Sequence, residues 1–394
     1  MKNSIFFSNK NWLGLILFLF ALFINQYYGN RGIFPVDSFA HFDTGSKILL
    51  GEYPFKDFWI VSGPIVDYIQ AIFFYFFGIN WQSYVLHASL INAILSLATF
   101  LIFINFNLNI YYSFIYALLF SILAYPVSGT PFVDLHSAFF SLLGIYSLIL
   151  GIKNEEKIYW ILLPVFLGCA FLSKQVPSSY VILSIIMILI IYLYFKKKYF
   201  WIKYTFLSSI LFLLFILILG KIQKISFDSF LEQYLLYPQT IGADRFDNFN
   251  FTFRGVIDHF KFIYIAFIPF LFVNLKKIIF NKNYYKEKDF YYFLILTLFT
   301  FSLILHQLLT RNQTFIFFLI PILFAFSHIY LPSLKLNKNK ILHLLLILIC
   351  VFASAKYHIR FNENRKFHEL SYVNFKLSSD AKKIDKKLSG LKWI

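Results

Sequence analysis

The chain has 394 residues, 59% of them hydrophobic and only 14% charged, with a mean hydropathy of +0.68. That much apolar surface excludes an ordinary soluble domain. The net charge of +17 would suggest nucleic acid in a soluble protein, but most Lys and Arg lie in short loops between apolar runs. There they read as topology signals and contacts to anionic lipid, and no nucleic acid partner is expected.

The first apolar run, 12–28, is not followed by a small-residue cleavage site and reads as a retained membrane span. Further spans are expected at 81–105, 110–125, 133–151, 158–173, 176–195, 200–220, 260–275, 290–309, 314–331 and 341–355, runs near the length needed to cross about 30 Å of hydrocarbon. Cys169 and Cys350 both fall inside such runs, so no disulfide framework is implied. The run 64–78 is short, follows Gly63-Pro64 and carries Asp67 and Gln70.

The positive-inside rule decides how that run is read. If 64–78 lies in the interface, Lys2, Lys10, Lys153, Lys157, Lys196 to Lys198, Lys203, Lys276, Lys277, Lys282, Lys286, Lys288, Lys335, Lys338 and Lys340 all face the cytoplasm. If it crosses, the lysine-rich short loops that follow it all face outward. The expectation is therefore an all-α polytopic bundle of about eleven spans, with the N-terminus inside and the C-terminus outside. Residues 1–355 form the membrane module, with a first outer loop at 30–80 and the longest internal outer loop at 221–259. Residues 356–394 are a basic outer segment that could open a further domain.

The first outer loop is the compositional anomaly. Asp37, Asp43, Glu52, Asp57 and Asp67 are five of the chain's 19 acids within 31 positions. Pro35-Val36-Asp37-Ser38 has the form of a helix start, with Asp37 or Ser38 placed to cap. Along that helix Phe39, Phe42, Leu49 and Leu50 are expected to rest on the bilayer, while Asp37, His41 and Thr44 share another face. Gly51 ends the helix and Tyr53-Pro54 begins an extended stretch. Two interfacial helices joined by a turn are expected, with Asp43, Glu52 and Asp67 as solvated scaffold. Asp134 opens the run 133–151, where it is either an N-cap or a functional carboxylate turned to water or a partner.

The stretch Asp37-Ser38-Phe39-Ala40-His41, Leu50-Gly51-Glu52-Tyr53-Pro54-Phe55-Lys56-Asp57-Phe58, Gly63-Pro64 and Phe77-Gly78 resembles the GT-C superfamily of polytopic glycosyltransferases, which use polyprenyl-phosphate sugars. The members it is most similar to are those related to protein O-mannosyltransferases and lipid A aminoarabinose transferases. Val133-Asp134-Leu135-His136 resembles the segment where such enzymes carry an acid at the start of a span, 97 positions after Asp37, and Arg311 with Pro321 is similar to a later basic element. The resemblance covers 12–155, and the rest only by topology. The chain departs from the family in having Ser38 where a second acid would follow Asp37.

The resemblance implies an inverting transfer at the outer face of a bacterial inner membrane. The donor would be a polyprenyl-phosphate sugar and the acceptor an envelope glycan, lipid or protein. The leaving phosphate needs no general acid, so one carboxylate suffices as base. Asp37 takes that role and Asp134 is its partner, with Asp57, His41 and His136 supporting. Lys174 and Arg311 are candidates to hold the lipid phosphate. A divalent metal among His41, His136, His306 and the two acids is an option that no ligand spacing demands. The alternatives are a transporter or flippase of lipid-linked saccharides, which would carry ionisable residues in mid-span, and an O-antigen ligase or polymerase, which would place its basic residues in a large outer loop.

Overall fold

A computed structural model describes residues 9–32, 35–247, 249, 252–311, 315–331, 340–364 and 374–393. Fifteen α-helices make up almost all of it: α1 Asn9–Gly29, α2 Pro35–Leu49, α3 Ile65–Phe77, α4 Trp81–Asn105, α5 Ile110–Leu123, α6 Val133–Asn154, α7 Lys157–Phe171, α8 Gln175–Lys196, α9 Tyr199–Ile222, α10 Phe227–Leu231, α11 Tyr237–Asp247, α12 Lys261–Phe280, α13 Lys288–Thr310, α14 Leu319–Tyr330 and α15 Lys340–His358. Nine helices among the described residues are long and apolar enough to cross a membrane: α1, α4, α5 with its 3-10 extension, α6, α8, α9, α12, α13 and α15 with its π extension. Helix α9 buries only Ser208 and exposes Phe206, Leu211, Leu213, Leu214, Phe215 and Ile218, a surface that water does not tolerate but lipid solvates.

Two of the expected spans differ in length. The run 158–173 gives α7, 15 residues with Pro164 inside it, and 314–331 gives α14, 12 residues. At 1.5 Å per residue these reach roughly 22 and 18 Å, short of the hydrocarbon thickness. Helix α14 is apolar because protein surrounds it, whereas α7 buries one face, Trp160, Leu163, Leu167 and Ala170, and leaves Ile158 and Ile161 exposed. Helix α7 packs between α6 and α9, and α14 is enclosed by α12, α5 and α15, with nearly every side chain buried.

Polar side chains hold the helices together from within. Asn92 donates to Ala21 O at 2.8 Å and Ser121 O at 3.1 Å, joining α4 to α1 and α5. Asn25 donates to Ser89 Oγ at 3.0 Å and Gly129 O at 3.2 Å. In apolar surroundings such bonds and close packing replace the hydrophobic effect as the glue between helices.

The bundle has two chemically different ends. At one end Lys198 and Lys288 share Glu155 at 2.5 and 3.0 Å, Lys196 donates to Lys286 O and Lys277 pairs with Asp289 at 2.8 Å. At the other end lie the close of α1, the α2–α3 hairpin, the starts of α4 and α6, the α7–α8 turn and the close of α13.

Helix α3 is capped by Pro64 and Gly78 and packs against α2 and α4, as an interfacial helix would. Helix α2 begins at Pro35, so Asp37 and Ser38 lie within its first turn rather than ahead of it. Phe39 and Phe42 do not rest on the bilayer. They turn inward onto Phe74, Trp81 and Tyr84, with Phe42–Phe74 ring centres 5.0 Å apart and Phe39–Trp81 5.7 Å. Leu50 remains exposed.

The 221–259 region is largely helical. It holds α10, a π segment Glu232–Leu236, α11 and a second π segment Arg254–Asp258. Gln233 is tied to both the N–H of Ile60 and the carbonyl of Phe55 at 3.1 Å, which fastens this region to the extended part of the first loop. Residues 374–393 fold back on the helix ends, where Lys392 N donates to Asn30 O at 3.0 Å, Gln82 to Ser389 O at 3.1 Å, and Leu391 is buried.

The connector before α3 is pinned to the α7–α8 turn: Gly63 N donates to Ser173 O at 3.0 Å and Ile65 N to Leu172 O at 3.1 Å. A Cβ on Gly63 would lie 1.7 Å from Leu172 O. Gly63→Ala is therefore expected to push the two segments apart and cost about 1–3 kcal/mol, as overpacking does. A lowered unfolding temperature of the purified variant in detergent checks this.

Candidate active site at one end of the bundle

Asp134 is the second residue of α6, and Phe132 is that helix's N-cap. Its carboxylate does not cap. Lys174 Nζ donates to Oδ2 at 2.6 Å and His306 Nε2 meets Oδ1 at 2.7 Å, with 6% of the Asp134 side chain exposed and 22% of Lys174. A carboxylate buried this deeply costs several kcal/mol unless a cation and hydrogen bonds satisfy it. The sequence supplies both from distant places: Lys174 from the extended turn between α7 and α8, His306 from the last turns of α13. The Lys174 carbonyl is itself held by Ser137 Oγ at 3.3 Å and Ser178 Oγ at 2.6 Å.

Asp37 stands next to this cluster. Ser38 Oγ lies 3.4 Å from Thr130 Oγ1, which fixes the first turn of α2 beside the segment leading into α6. Partial burial, and then the negative charge of Asp134, push the Asp37 carboxyl above the usual carboxylate range, while Lys174 and His41 pull it partly back. Like charges sharing a site have this effect. Two carboxylates, a lysine and two histidines, drawn from α2, α6, the α7–α8 turn and α13, thus form one ionic neighbourhood.

The supporting residues divide. His41 lies one turn after Asp37, and its Nδ1 meets Asp67 Oδ1 at 2.6 Å; Thr44 donates to the same oxygen at 2.5 Å. Asp67 is fully buried rather than solvated scaffold, and its Oδ2 has no hydrogen-bond partner among the described residues. Asp57 closes its own turn, accepting from Tyr53 N at 2.8 Å and pairing with Lys56 at 3.4 Å. The Tyr53 N–H, followed by Lys56, holds its carboxyl below the ordinary value. Asp43 pairs with Lys47 at 2.8 Å.

His136 joins neither acid but sits in a buried chain. Phe132 N–H donates to the Tyr125 hydroxyl at 3.0 Å, and that hydroxyl meets His136 Nδ1 at 2.5 Å. His136 Nδ1 also lies 3.3 Å from Phe132 O, its Nε2 meets His87 Nε2 at 2.9 Å, and His87 Nδ1 meets Gln70 Oε1 at 3.0 Å. The two facing Nε2 atoms require one imidazole to donate and the other to accept.

Lys174 is engaged with Asp134, so its charge is shared before any ligand arrives. Arg311 is exposed and terminates α13 in a left-handed conformation, φ 55°. Among the described residues no three His, Cys, Asp or Glu side chains group as a metal site, and the three histidines considered for one are directed to separate partners. The residues missed on sequence are His87, Gln70 and Tyr125, and Asp67 as a buried group. Their signal was the isolated polar residue inside an apolar run.

The chain matches no protein-family model, and no curated protein matches its sequence.

Removing one member of a buried ion pair strands the other. Lys174→Met is expected to cost about 3–5 kcal/mol, and the double variant Asp134→Leu/Lys174→Met considerably less. Unfolding of the two variants in the same detergent checks the ordering.

Proposed function

We propose that the chain is an inverting membrane glycosyltransferase that moves a sugar from a polyprenyl-phosphate donor to an acceptor hydroxyl. The observation that carries this reading is Asp37: a half-buried carboxylate with a raised proton affinity, beside the Asp134–Lys174–His306 cluster at one end of a helical bundle. A carboxylate tuned upward by burial and a like charge is suited to accept a proton near neutral pH.

In the proposed step, Asp37 takes the proton of the acceptor hydroxyl as its oxygen attacks the anomeric carbon. The bond from that carbon to the phosphate oxygen breaks, and the phosphate leaves as an anion carrying its own electron pair. Lys174 keeps N–H groups beyond the one given to Asp134 and supplies positive charge to that anion. The resemblance of 12–155 to GT-C enzymes, with an acid after the first span and another opening a later one, supports the same assignment.

The two ends of the bundle support an orientation. The lysine-rich end, with Lys153, Lys157, Lys196 to Lys198 and Lys282 to Lys288, would face the cytoplasm. Asp37 and Asp134 would then face the periplasm of a bacterial inner membrane, and α3 would lie in that interface with α7 and α14 completing the passage of the chain. Acceptors of this site are hydroxyls of envelope glycans, lipids or proteins.

The test is an assay of the reconstituted protein with a panel of undecaprenyl-phosphate sugars. Transfer should fall about 10²–10⁴-fold in Asp37→Asn, the worth of a positioned base, and full activity in that variant would sink the assignment. The raised proton affinity also fixes a sign. Asp37 must be ionised to act, so the rate rises with pH through a value above that of an ordinary aspartate. In Asp134→Asn the neighbouring negative charge is gone and Lys174 is released toward Asp37, so that limb should move to lower pH. A raised folded-state pKa also means that ionised Asp37 costs stability above the unfolded value. Asp37→Asn is therefore expected to be at least as heat-stable as the parent at pH 7, and a melting curve decides it.

A further inference from the structure

A polar cavity opens at the same end of the bundle as the Asp134 cluster, between the approach to α12 and the close of α15. It has a volume of about 440 Å³ and is lined by Arg254, Asp258, His259, Lys261, Lys356 and Arg360, among others. Its base is rigid. The Tyr357 ring stacks on Phe317 with centres 3.8 Å apart and planes 15° from parallel, Phe361 stacks on the other part of the same group, and Tyr357 donates to His259 O at 3.1 Å.

The charge of the lining does not balance. Asp258 is its one carboxylate, and Lys261 already occupies it at 2.8 Å. Arg254, Lys356 and Arg360 have no ion pair among the described residues, and the buried Nε of Arg360 has no hydrogen-bond partner. Lys356 and Arg360, one turn apart on α15 and its π extension, and Arg254 on the segment opposite line one cavity and repel one another, and an N–H removed from water without an acceptor is costly. Both costs vanish if an anion occupies the cavity.

We propose that this cavity binds a phosphate group, carried either by an anionic lipid or by a soluble phosphorylated molecule. Arginine forks and a lysine ammonium are the donors such a group takes. The surroundings favour the lipid. Phe253, Ile257, Phe352 and Ile359 are exposed apolar side chains on the same segments as the cationic ones, so acyl chains would lie against them while the head group sat among the cations. The site is separate from Asp37 and Asp134, and it does not require the transferase reading.

The experiment uses the purified full chain in a neutral detergent. Phosphatidylglycerol and phosphatidylcholine are titrated in and retention is read by native mass spectrometry, while inorganic phosphate is tested in parallel by thermal shift. The parent should retain phosphatidylglycerol about tenfold or more over phosphatidylcholine, and the variant Arg254→Gln/Lys356→Gln/Arg360→Gln should lose that preference. Lys196→Gln/Lys197→Gln/Lys198→Gln, altered at the opposite end, should keep it. If instead inorganic phosphate stabilises the parent and not the first variant, the site stands and its ligand is soluble. Should the triple variant not fold, the exposed Lys356→Glu replaces it and should reduce the preference several-fold. Equal retention of both lipids with no response to phosphate overturns the proposal, as does a preference that survives the cavity variants.

Discussion

A carboxylate at the head of α6, enclosed on nearly all sides, sets the terms for much of the bundle. Asp134 cannot be left unpaired in that setting, and it reaches no backbone N–H as a cap. It therefore needs a lysine and an imidazole, and these arrive on elements far apart in sequence. Bringing Lys174 to it requires the α7–α8 turn to be fixed. The turn is fixed by main-chain bonds to the connector ahead of α3, which in turn demand that residue 63 have no side chain. Helix α3 then has its start defined, and α2 folds against it with Asp37 facing the cluster. The electrostatic need of one residue is thus relayed through turn geometry to the position of a second acid.

The architecture serves that end unequally. Helices α4, α5, α6, α13 and α14 hold most of the buried interior, and α14 is too short and too enclosed to owe its composition to lipid. Helix α9 is almost wholly exposed and contributes area facing lipid. The hairpin α2–α3, the α10–α11 region and residues 374–393 all gather at the end that carries the acids, while the lysine-rich turns close the other. The buried acid cluster and the lysine-rich turns thus lie at opposite ends of the bundle.

Much of this was readable from residue order. The length and isolation of 64–78, with its opening Pro and closing Gly, were enough to mark it as a short helix apart from the long spans, as α3 is. The Asp37–His41–Thr44 face followed from helical spacing. Other features were not readable, for physical reasons. Phe39 and Phe42 suit lipid and protein equally well, and only the presence of Trp81 and Tyr84 opposite decided between them. A carboxylate near a helix start looks the same whether it caps or pairs, and the partner that settled Asp134 lies 172 positions away at His306. Asp57, given a supporting role because it follows the Gly51–Pro54 turn of the family-like stretch, is occupied instead by the Tyr53 N–H and Lys56. Asp67, His87 and Gln70 carried the signal of polarity in an apolar run, but a single chain does not say which of them meet.

The order of these residues along the chain has a consequence for how the protein is made. Asp134 is made with α6, and Lys174 follows 40 residues later, before α8 begins. The acid's first partner is therefore at hand early in the chain, whereas His306 follows 172 positions after the acid, with α13. The buried carboxylate is fully satisfied only when elements from distant parts of the chain are in place together, so its enclosure reports on the completeness of the bundle.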